Sequence, residues 1–151
     1  MTGMATFAEL AERRFHFLKD RGFHVTRRIV YPSFDNAEVV YDSSRCRIRL
    51  SRDRSIVDVD LASPAPSEVW FDLGTVIYYL TDGHDRTWDF DVPDLDRGEQ
   101  RTDWQLGRLA EILMSYLDRA CQFFSETPAD TIDERLTAAL YDRWGMEPPS
   151  G

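Results

Sequence analysis

The sequence predicts an α+β fold: a four- to five-stranded antiparallel meander with an N-terminal helix and C-terminal helices packed on the sheet. Three observations predict it. The hydrophobic period switches from 3.6 to two after Gly22 and returns to 3.6 near Asp72. Between these points alternating runs follow one another across short polar gaps, so sequence neighbours become sheet neighbours. The composition supplies a core, with 42% of the 151 residues hydrophobic and 13% aromatic. A chain of this length buries roughly 70% of its unfolded surface as one unit. Residues 1–151 are therefore read as a single domain, frayed over 1–5 and 146–151.

Each element has a local reason. A first helix is expected over Thr6–Asp20, where Phe7, Leu10, Ala11, Phe15 and Leu18 recur on one stripe and Arg14 interrupts it. Gly22 closes it. FHVTRRIVY then reads as a strand with Phe23, Val25, Ile29 and Tyr31 on one side. Arg27 breaks that side, which calls for a bulge or an edge position. PSFDN turns the chain, AEVVYD, RCRIRL and SIVDVDL make three more strands, and ASPAPS ends the meander with two prolines. EVWF offers a short fifth strand. Asp72 is placed to cap LGTVIYYL, with Phe71 and Val76 at staple positions. Residues 82–103 have no period and read as a long loop. A second long helix follows from Asp103 to Phe124, with Leu106, Leu109, Leu113, Tyr116, Leu117, Ala120 and Phe124 as its buried stripe. Thr131 and Glu134 form a T-x-x-E box opening a last helix that ends near Gly145.

RCRIRLSRDR places Arg45, Arg47 and Arg49 on one face of a strand. A turn at Arg52-Asp53 sets Arg47 opposite Asp58 and Arg45 opposite Asp60. A turn at Ser43-Ser44 sets Asp42 opposite Arg45 and Glu38 opposite Arg49. In this register carboxylates flank the arginine row, which marks a wet sheet face and disfavours a rail for nucleic acid. Arg27, Arg28, Arg52 and Arg54 stay free and carry the competing nucleic-acid reading.

The templates of common chemistry do not occur. There is no phosphate loop, no nucleophile elbow, no Cys-x-x-Cys and no H-E-x-x-H, and His16, His24 and His84 are scattered. No cofactor is implied. Cys46 and Cys121 fall near apolar faces and read as buried, inert, reduced thiols. No run of about 20 apolar residues and no signal segment is seen, so no membrane is involved and a cytoplasmic location is expected. Of the 18 basic side chains only Lys19 is not arginine, which fits a GC-rich bacterial genome.

The net charge is −9, and the split is uneven: residues 1–54 carry +4 and residues 55–151 carry −13. Such a balance attracts basic partners. The candidate partner site is the loop with Asp82, Asp85, Trp88, Asp89, Phe90, Asp91, Asp94 and Asp96, where rings fill pockets and charges steer approach. The plainer reading is that the two rings tack the loop to the core. No calcium-loop spacing fits: counted from Asp94, position five is Gly98, and counted from Asp89 it is Pro93. An irregular cation site of Asp82, His84 and Asp85 is one arrangement the loop offers, and a metal-dependent hydrolase using His84 and the aspartates of the 82–103 loop is the alternative to a non-catalytic binding module.

FLKDRGFHV, VVYDSSRCRIRLSRD and FDLGTVIYYL resemble a broad group of small uncharacterised bacterial α+β proteins, over roughly residues 7–81. Some proteins of that outline look like immunity proteins that neutralise toxins. The resemblance implies an inhibitor or adaptor with a basic partner, and it transfers no functional residue.

Overall fold

The computed structural model describes residues 5–31, 36–95 and 98–147. Helices α1 (Phe7–Arg14) and α2 (Phe17–Asp20) precede strands β1 (His24–Tyr31), β2 (Asn36–Asp42), β3 (Arg47–Asp53), β4 (Ile56–Ala62) and β5 (Phe71–Asp72). Helices α3 (Leu73–Leu80), α4 (Gly98–Glu126) and α5 (Ala129–Arg143) follow. The five strands form one sheet in the order β1-β2-β3-β4-β5 with every neighbour antiparallel. The α+β meander is thus as expected.

One face of the sheet carries Val39, Tyr41, Ile48, Leu50, Val59 and Leu61, all buried, and α1, α3 and α4 pack on it. The α4 stripe supplies Leu106, Leu113, Leu117, Ala120 and Phe124 to the same core. Asp72 caps α3 by accepting from the Thr75 N–H (3.1 Å) and the Thr75 hydroxyl (2.7 Å). Gly22, at φ +86°, ends the first helical segment in a conformation that favours glycine, and Gly74 is discussed below.

Several expectations need correction. The first helix does not run through to Asp20. It breaks after Arg14, the charged residue on the apolar stripe, which turns away to fork onto Asp103 of α4 at 2.9 and 2.7 Å. Phe15 and Leu18 are buried on either side of the break. In β1 the expected bulge occurs, between Val25 and Arg27, at an edge strand. It has a consequence the alternation did not give: Arg28 pairs with Val39, while Ile29 pairs with Glu38. Ile29 and Tyr31 therefore point to the polar face, opposite Val25, because the extra residue inverts the pleat. Part of the PSFDN turn, residues 32–35, lies outside the described residues.

Both hairpin registers slip by an even number. At the first, Asp42 faces Arg47, not Arg45, because the connection holds four residues rather than two. Ser43 Oγ organises it, accepting from the N–H groups of Arg45 and Cys46 (both 3.2 Å) and donating to the Cys46 carbonyl (2.9 Å). At the second, the turn is Arg54-Ser55, with φ +53° and +72°, the backbone of a tight primed hairpin. Asp60 then faces Arg49 and Asp58 faces Ser51. An even slip keeps every hydrophobic side chain on its own face, so the core pattern alone does not choose between these registers.

The fifth strand is two residues long, not four. α4 starts at Gly98, five residues before the expected Asp103. α5 starts at Ala129, so Thr131 lies inside the helix and the T-x-x-E box does not form. The Pro128 carbonyl instead accepts from Ile132 N–H (2.9 Å), and Asp130 in the first turn accepts from Thr131 N–H (2.9 Å).

Candidate functional site

The loop after α3 is fastened by its own aromatic residues. Asp85, half-buried, accepts from the Tyr116 hydroxyl of α4 in a short hydrogen bond and from Thr87 N–H at 2.8 Å. The Tyr116 bond in particular holds the Asp85 carboxyl below the usual carboxylate range. Trp88 donates its Nε1–H to the Asp85 carbonyl (2.9 Å), and its ring lies 3.9 Å from the guanidinium carbon of Arg143. Arg143 in turn donates to Asp72 (2.6 Å) and contacts the Thr75 hydroxyl (3.0 Å), so it ties the end of α5 directly to the start of α3 while the Trp88 ring stacks on it. A Cβ on Gly74 would lie 2.9 Å from the Trp88 ring and 3.0 Å from Arg143, which is why this helix position carries no side chain. Phe90 meets Trp104 of α4 edge-on at 5.6 Å and sits 5.8 Å from the Arg108 guanidinium carbon.

Trp88 and Phe90 are therefore half-buried and packed against the core, as the plainer reading had it. Asp82, Asp89, Asp91 and Asp94 are exposed, and among the described residues none of these four has a salt-bridge partner. Asp96 lies outside the described residues. Asp82 also rims a cleft of about 370 Å³ between α3 and α5, walled by Tyr78, Tyr79, Ala138 and Ala139. The Tyr78 hydroxyl donates to Asp142 (2.7 Å), and Arg135 donates to the Tyr79 hydroxyl (3.2 Å).

The hydrolase alternative asks for a convergence that the side chains do not make. His84 Nδ1 sits 2.7 Å from the Thr81 carbonyl, and Asp85 is turned to Tyr116. Among the described residues no three His, Cys, Asp or Glu side chains gather as a cation site.

On the polar sheet face the arginines meet acids at nearly every turn. Arg47 is bound by Asp42 (2.7 Å), Glu68 (3.0 Å) and the Ser67 carbonyl (2.6 Å). Arg49 is bound by Asp60 (2.9 Å) and lies 3.6 Å from Glu38. The Trp70 ring covers both guanidinium groups, at 5.1 and 4.6 Å. The four arginines expected to be free are not. Arg28 forks onto Glu12 at 2.6 and 3.0 Å, and Arg27 lies 3.9 Å from both Glu38 and Glu68. Arg52 sits over the Phe7 ring at 5.2 Å, and Arg54 lies 4.0 Å from Asp53. Glu12 in α1 and Glu68 in the loop after β4 are partners that strand alternation did not reveal.

Arg143 and Gly74 also escaped the sequence reading, and Tyr116 was read there only as part of the α4 stripe, because each meets the loop across intervening chain. Compared with protein-family models, curated proteins and solved structures, the chain matches none.

Proposed function

We propose that the chain is a non-catalytic binding module for a basic protein, in the manner of an immunity-type inhibitor of a basic toxin or an adaptor. One observation carries this. Across the sheet and the helix contacts, arginines are engaged with acids of their own fold, whereas among the described residues Asp82, Asp89, Asp91 and Asp94 face water without a salt bridge. Part of the surplus negative charge is thereby gathered on this one segment, while Asp130, Asp133 and Glu134 of α5 are exposed as well. That segment is pinned by Trp88 and Phe90, so little loop entropy is lost when a partner docks. The rings act as mounts for the carboxylates, and the carboxylates steer.

The test compares the natural chain with the variant D82N/D89N/D91N/D94N. Affinity capture followed by mass spectrometry should recover a basic protein with the first and not with the second. Association with that protein should slow by about tenfold at low salt and lose most of its salt dependence. Recovery of nucleic acid alone, lost on replacing Arg27, Arg28, Arg52 and Arg54, would overturn the reading. So would a partner whose capture ignores the loop charges.

A further inference from the structure

Cys46 and Cys121 are separated by 75 positions in the chain, yet their sulfurs lie 2.9 Å apart. Cys46 ends the connection between β2 and β3, where Ser43 fixes its N–H and its carbonyl. Cys121 sits on the buried stripe of α4, and neither side chain reaches solvent. A disulfide needs the sulfurs at about 2.05 Å, so closure takes less than about 1 Å of travel and no change of fold. The surroundings of the two thiols differ. The hydrogen bond with Cys46 favours ionisation of Cys121 most, burial opposes it, the Arg45 guanidinium favours it and Asp118 opposes it weakly, and the balance holds Cys121 below the ordinary thiol range. Cys46, donating to Cys121 and cut off from water, is held above it.

We propose that Cys46 and Cys121 are a redox pair, converted by a small peroxide into a disulfide that joins the β2–β3 connection to α4. The Cys121 thiolate attacks one peroxide oxygen and the O–O bond breaks. The leaving hydroxide takes up a proton to become water, and Cys121 is left as the sulfenic acid. The Cys46 sulfur then attacks the Cys121 sulfur, the S–O bond breaks, and hydroxide leaves with the Cys46 proton as a second water. The two thiols lose two electrons and the peroxide gains them. Burial selects the oxidant. Both sulfurs are shut off from solvent, which disfavours attack by a bulky thiol or disulfide more than by a small neutral peroxide, and the neighbouring Arg45 side chain is 47% exposed.

The test treats the reduced full chain with stoichiometric hydrogen peroxide and digests it without reduction. Expected are a cross-linked peptide joining Cys46 to Cys121, loss of two hydrogens from the intact mass, and a melting temperature higher by about 10 °C, because the bridge closes a long loop. Dithiothreitol added to the protein unfolded in urea, followed by refolding, should reverse all three. C46A and C121A should each lose the temperature response, and if either variant folds poorly, R45Q supplies the second measurement. R45Q should slow oxidation several-fold while leaving the melting temperature of the reduced form unchanged. Two thiols that stay free under excess peroxide would overturn the proposal. Sulfinic acid at Cys121 without a cross-link would do so too, as would a cross-link that lowers the melting temperature.

Discussion

Replacing Arg47 by methionine isolates what the arginine face contributes. Methionine keeps most of the apolar stem beneath Trp70, so the packing loss is small. What disappears is the guanidinium, in a side chain only 6% exposed, with its bonds to Asp42, Glu68 and the Ser67 carbonyl. The three partners suffer unequally. Glu68 is 60% exposed and rehydrates at little cost. Asp42 is 19% exposed and keeps a charge with its cation gone, a loss of about 2 kcal/mol. The Ser67 carbonyl and the Trp70 ring add about 1 kcal/mol each, from which the relieved desolvation of the guanidinium subtracts roughly 1. The expected loss is about 3 kcal/mol, or about 9 °C in melting temperature. Urea unfolding at pH 7, followed by tryptophan fluorescence, reads it as a lower midpoint at unchanged slope. Arg21→Met is the control, since its side chain is 44% exposed and its partner Asp118 73% exposed, and it should lose at most about 1 kcal/mol. If Arg47→Met costs less than Arg21→Met, the row is not held by its own acids and the structural account of this face is wrong.

Gln105, buried on α4, accepts from Val57 N–H (3.0 Å) and donates to the Ser55 carbonyl (2.8 Å), bracing the β3–β4 turn. Gln105→Leu should cost about 2 kcal/mol and make the Val57 amide exchange faster by hydrogen-exchange NMR. Asp58 lies exposed on β4, so water screens much of the effect, but its pKa is still pushed upward, by the partial cover of neighbouring atoms first and by Asp60, Asp72 and Asp53 after it. Its raised folded pKa means that its favourable contribution is full below the unfolded value of about 3.9 and is lost as pH rises through the folded one. Asp58→Asn should therefore raise the urea midpoint at pH 7 and change nothing near pH 3. Asp103 runs the other way: its hydrogen bond with Arg14 lowers its pKa, so its contribution is present above the unfolded value and lost as pH falls through the folded one. Asp103→Asn should lower the midpoint at pH 7 and leave it unchanged once Asp103 is protonated.

The alternation of β2 to β4 and the Asp72 cap were legible because they are local. Val39, Ile48 and Val59 must face inward wherever their strands pair, and Asp72 caps the three residues that follow it. Register was not legible, since slips of two or four positions satisfy the same faces. The deciding features were a serine side chain at Ser43 and a turn at Arg54-Ser55 that carries no Gly or Asn to announce it. The candidate loop was legible as acidic and aromatic, but not as fastened. Its clasp, Arg143, contacts Trp88 from the far end of α5, and Gly74 makes room for both. Both cysteines read as buried, yet nothing in a strand pattern and a helix pattern says which buried positions will touch.

The bulged edge strand bears on how copies of this chain meet one another. β1 is the long outer strand of an open sheet, and such a strand can template pairing between molecules. Antiparallel pairing of two β1 strands about a twofold axis would bring Arg27 and Arg28 of one copy against those of the other, an arrangement of like charges that is unfavourable in a ladder. The shift between Val25 and Arg27 also spoils the even spacing of N–H and C=O groups that a second copy would have to match. One extra residue and two arginines thus act as a guard against edge-to-edge dimerisation. Deleting Thr26, which removes the extra residue, is the change by which copies of this protein in a crowded solution would begin to pair edge to edge.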